Sequence, residues 1–105
     1  MARDRGEVHR GYDRAIGGLR NIHRAKLEEY GLDRYQETDP RWAMIMCYSD
    51  VYRKNIRLRQ LTDSIVADEE IDPAALKDAY QDLANYAIMA VQEIDHHYPK
   101  GTDHV

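Results

Sequence analysis

The stretch Ala74 to Ile94, AALKDAYQDLANYAIMAVQEI, constrains the fold most: it reads as one long helix, apolar over most of its surface, with Asp78, Asp82 and Asn85 in a single polar row. Each residue turns a helix by about 100°, so Asp78, Asp82, Asn85 and Met89 fall within roughly 60° of one another. Leu76, Leu83, Ala87, Ala90 and Ile94 cluster on another side. Tyr86 to Val91 carry no charge in any direction, and a helix apolar all round calls for cover on all sides. The expectation is a helix central to an assembly, with two carboxylates looking into a crevice.

The rest of the chain is also helical in pattern. Ile16, Leu19, His23, Leu27 and Tyr30 recur at 3-4 spacing, which predicts a first helix from about Asp13 to Tyr30, stopped by Gly31. Gly17 and Gly18 weaken its opening turns by on the order of 1 kcal/mol each, unless they serve a close helix contact. A second helix is expected to start at Asp39-Pro40, where Asp caps an orphan N–H and Pro has none to leave unpaired. Ile45, Tyr48, Tyr52 and Ile56 are expected to form its inner face, with Trp42 at the edge, and its end falls near Leu61. Asp72-Pro73 repeats the device for the third helix. Nothing reads as strand. The fold class is all-α: a bundle of three main helices in a single domain spanning 1–105, with flexible ends at about 1–11 and 99–105. Three such helices cover one another incompletely, so a homodimer or higher homo-oligomer is expected to complete the bundle.

Charge narrows the function classes. Residues 1–40 carry eight basic and eight acidic groups, residues 41–60 five basic against one acidic, and residues 61–105 two basic against ten acidic. That distribution argues against direct binding of nucleic acid, which needs a broad positive surface, but leaves room for a local phosphate site. The single Cys47 excludes an internal disulfide, and no run of about 18 apolar residues suggests a membrane span. A cytoplasmic protein is expected.

Polar rows carry the candidate chemistry. Asp50, Lys54 and Arg57 share a stripe of the second helix, with Arg53 beside it. If that row faces Asp78 and Asp82, three carboxylates are available for Mg²⁺, and the adjacent cations take phosphate oxygens. The competing reading is ordinary surface decoration, since two Asp residues four apart are common on a solvated face. Met46 and Met89, which flank the acidic positions, favour a crevice. His96 and His97 point about 100° apart, a poor arrangement for chelation, and no paired-Cys or His-x-x-x-His pattern suggests zinc. His23 and Cys47 read as packed residues.

Together these motifs resemble the MazG-like all-α nucleotide pyrophosphohydrolase superfamily, and most nearly the nucleotide modification associated domain 1 proteins of phages and bacteria. The resemblance runs from about Ile22 to Ile94. It rests on Lys26 with Glu29-Tyr30-Gly31, on Arg53-Lys54 with Arg57-Leu58 and Leu61, and on Asp78-x-x-x-Asp82-Leu83-x-Asn85-Tyr86-Ala87. It implies a helical oligomer of the bacterial or phage-infected host cytosol, acting as a hydrolase on (deoxy)nucleoside triphosphates with Mg²⁺ as cofactor.

On that reading Asp78 and Asp82 hold metal, Asp50 or Glu29 completes the shell, and Asp50 and Asp82 are the catalytic candidates. Lys54 and Arg57 neutralise phosphate, and Asn85 orients a water or reads sugar and base. The superfamily's earlier pair of glutamates is not matched, and Ala74 stands where a further glutamate is expected. Either the metal set is reduced, or this member is a non-catalytic nucleotide sensor or helical interaction module.

Overall fold

A computed structural model describes residues 2–99, the side chain of residue 30 excepted, and these form three long helices with one short 3-10 turn and no strand. They fall into two compact units, one ending at Arg34 and the other beginning at Tyr35.

The first unit is α1 (Arg5–Tyr30). It starts earlier than the hydrophobic pattern suggests because Asp4 supplies a cap: its Oδ1 accepts the Glu7 N–H at 2.8 Å, placing a second acid in the first turn. Residues 5–11, expected to be a flexible end, are therefore helical. The helix passes through Gly17 unbroken. Gly31 ends the helix at φ +71°, a conformation that L side chains rarely adopt, while its N–H donates to the Leu27 carbonyl at 2.8 Å.

The turn Asp33–Tyr35 spans the boundary between the units, and the second unit holds α2 (Pro40–Val66) and α3 (Pro73–His97). Both helices begin at the predicted Asp-Pro pairs. Asp39 Oδ1 accepts the Arg41 N–H and Asp72 Oδ1 accepts the Ala74 N–H, each at 3.0 Å. Replacing Asp72 by Ala is expected to cost about 1 kcal/mol, read as a lowered midpoint in a thermal melt followed by circular dichroism. α2 runs beyond Leu61 to Val66, where Asp68 takes φ +59° and the Glu69 N–H closes back on the Ser64 carbonyl at 2.9 Å. The Tyr35 hydroxyl donates to Gln92 Oε1 at 3.3 Å, tying the turn to α3.

α2 and α3 pack antiparallel as a hairpin, and their seam differs from the expected one. Ala43, Cys47, Leu58 and Ala79 are its buried apolar residues, joined by buried Asp50, Asn85 and Glu93. Ile45, Tyr48, Tyr52 and Ile56, the expected inner face, are exposed, as is Trp42. The physical reason is that the small residues Ala43, Cys47 and Ala79 let the two backbones approach, with the ion pairs of Lys54 and Arg57 running along one flank of the seam. The bulky stripe of α2 is consequently turned away from α3. No helix among the described residues is long and apolar enough to cross a membrane.

Candidate functional site

The hairpin seam has a polar flank built by two rows that each follow from helical spacing. On α2, Asp50, Arg53, Lys54 and Arg57 lie one turn apart, and on α3 Asp78, Asp82 and Asn85 do the same. Antiparallel packing reverses the sense of rotation between the helices, so both rows emerge on the same side. Arg57 Nη1 donates to Asp78 Oδ2 at 3.0 Å and stands 3.6 Å from Asp82 Oδ2, while Lys54 Nζ is 3.8 Å from the same Asp82 oxygen. Asp50, almost enclosed, is paired with Arg53 within α2. Lys54 also sits 5.5 Å above the centroid of the Tyr86 ring, a favourable cation–π position.

Exposure separates the members of this network. Asp78 and Arg57 are open to solvent, so their attraction is screened and contributes little to stability. Asp82 and Lys54, 16% and 28% exposed, are held in a less polar setting where charge matters more. One turn along α3 from Asp82, Asn85 is 5% exposed, and its Nδ2 donor is buried with no hydrogen-bond partner. An orphan amide of that kind costs about 1–3 kcal/mol.

The site residues named from sequence are thus placed as follows. Asp78, Asp82, Lys54 and Arg57 come together, with Asn85 one turn along from Asp82. Asp50 joins the α2 row but directs its carboxylate to Arg53. Glu29 is an exposed residue of α1, in the other unit. Among the described residues no three His, Cys, Asp or Glu side chains cluster so as to hold a metal ion. The three carboxylates are met by Arg53, Lys54 and Arg57 rather than by one another. Even so, one oxygen from each of Asp78 and Asp82 converges on a single positive point, Arg57 Nη1. That donor pair fits a hard divalent cation, which takes carboxylate oxygens and completes its shell with water and phosphate.

A second polar pair went unnoticed in the sequence. Glu93 and His97, one helical turn apart, are both nearly enclosed, and His97 Nε2 donates to the Glu93 carboxylate at 3.1 Å. The i,i+4 spacing was visible, but nothing local marked the pair as buried. His96 lies against it with ring centroids 4.8 Å apart, edge to face.

No family model, curated protein or solved structure matches the chain.

Proposed function

We propose that this protein binds Mg²⁺-complexed (deoxy)nucleoside triphosphates at the polar flank of the α2–α3 hairpin and processes them at the phosphoanhydride. The observation that carries the reading is the convergence of Asp78 and Asp82 on one cationic point beside Lys54. The site presents carboxylates and cations side by side, so it suits a ligand that carries both signs. A metal–phosphate unit brings both charges at once: Asp78 and Asp82 would hold the metal, and Lys54 and Arg57 would take phosphate oxygens. The metal's contribution is to polarise the phosphoryl oxygens and neutralise developing charge. Lys54 and Arg57 then orient the polyphosphate, and Asn85 Nδ2 offers a desolvated donor to a ligand oxygen.

A second reading, a nucleotide sensor without turnover, is favoured by one specific feature. Asp50 is engaged by Arg53, which leaves two converging carboxylates where hydrolysis calls for a fuller metal set and a general base. Titration calorimetry with a dNTP panel, with and without Mg²⁺, tests what both readings share. Binding that requires Mg²⁺ is expected, and Asp82→Ala is expected to weaken it at least about 10-fold while helicity is retained. Absence of binding under both conditions would sink both. Where binding is present, release of pyrophosphate distinguishes the enzyme from the sensor.

A further inference from the structure

The second unit leaves a large apolar stripe unpartnered on α2. Trp42, Ile45, Tyr48, Tyr52 and Ile56 fall within roughly 120° of one another and stand opposite the seam residues Ala43, Cys47, Asp50, Lys54 and Leu58. Trp42 is 52% exposed and Tyr48 71%, and the Tyr48 and Tyr52 rings lie 6.2 Å apart at 31°, forming a small aromatic platform. α3 carries another outward stripe, Tyr80, Ala87, Val91 and Ile94, roughly 130° round from the seam. One amphipathic helix lines one such flank, so α1 (26 residues) does not suffice for both.

We infer that the α2 stripe docks a second copy of this chain, α2 against α2, antiparallel about a two-fold axis near Ser49. Two features select that occupant and direction. First, the stripe is nearly palindromic: Trp42 and Ile56 each stand seven residues from Ser49, with Ile45 four before it and Tyr52 three after. An isologous antiparallel pair sets residues at matching distances on either side of the axis against one another, so Trp42 meets Ile56 and Ile45 faces Tyr52 of the other copy. Second, the ends are complementary in charge. Glu37, Asp39 and Arg41 mark the start of α2 and Arg59 and Asp63 its end, so antiparallel pairing sets both signs near an opposite charge whereas parallel pairing sets like against like.

Size sets the expected strength. An aromatic side chain carries about 150–250 Å², so three rings at half exposure or more and two isoleucines present on the order of 500 Å² per copy. About 1,000 Å² in total lies at the low end for specific interfaces, which fits a dimer that forms and dissociates with concentration.

Sedimentation equilibrium on the full chain is expected to show the mass rising from one chain toward two between ~1 and ~200 µM. Tyr52→Glu, at a position exposed in the single chain, is expected to weaken association at least about 30-fold with helicity unchanged, and Ile45→Glu provides a second disruption. In a Cys47→Ala background, Ser49→Cys is expected to cross-link chain to chain under diamide faster than Lys77→Cys on α3. A wild-type chain that stays single at ~200 µM, as it would were the stripe reserved for α1 or an unrelated protein, overturns the inference. So does an oligomer that ignores both glutamates, or Ser49→Cys cross-linking no faster than the control.

Discussion

His97→Ala is expected to lower the unfolding free energy by about 3 kcal/mol, the largest single effect of any substitution considered in the second unit. The reason is asymmetry. Truncating His97 removes a nearly enclosed ring, and it strands Glu93, which is 5% exposed, without the partner that satisfies its carboxylate. A buried charge with no partner costs far more than the intact pair contributed. For a domain of 60–100 residues the effect corresponds to a fall in melting temperature on the order of 10–20 °C, measured at fixed protein concentration because association also stabilises.

The same logic predicts recovery. In the double substitution of Glu93 and His97 by Leu no charge is left behind, and stability is expected to return to within about 1 kcal/mol of wild type. A loss of less than about 0.5 kcal/mol for His97→Ala, the range of ordinary surface changes, would mean that Glu93 reaches water and that the pair is not enclosed.

How much of this was legible in the sequence depends on the range over which each signal acts. The starts of α2 and α3 were readable to the residue because Asp39-Pro40 and Asp72-Pro73 act locally: a carboxylate for an orphan N–H, then a residue with no N–H. The grouping of Lys54 with Arg57, and of Asp78 with Asp82, was readable because it follows from helical spacing alone. Which face of α2 turns inward was not. Periodicity tells which side chains share a face but says nothing of what covers that face, and Ile45, Tyr48, Tyr52 and Ile56 looked like core because core is the usual destination of such a stripe. The seam instead uses Ala43, Cys47 and Ala79, residues whose value lies in their small size and depends on the opposing helix. Early α1 was missed for a related reason: Asp4 and Glu7 make a helix start with no apolar residue to announce it.

The second large effect is expected at Asn85, and in the opposite direction. Its Nδ2 is buried without a partner, a cost of about 1–3 kcal/mol that the ligand-free protein carries. Asn85→Leu keeps the γ-branch and removes the orphan donor, and is expected to raise stability by about 1–2 kcal/mol, or roughly 4–15 °C in melting temperature. Asn85→Ala, which removes the amide without adding bulk, is expected to gain less because part of its volume is left unfilled. If the donor serves a ligand oxygen beside Lys54 and Asp82, both variants lose affinity for Mg²⁺-dNTP by about 10-fold while becoming more stable. A melt and a titration on the same sample therefore read the two roles separately. Stability that falls in both variants would show that Nδ2 is satisfied in the folded chain. A stability gain with unchanged affinity would remove Asn85 from the ligand site and leave the polar flank to Asp78, Asp82, Lys54 and Arg57. Gain and loss together are the signature of a strained group held for binding, because only a ligand acceptor converts an unpaired buried donor from a cost into a contact.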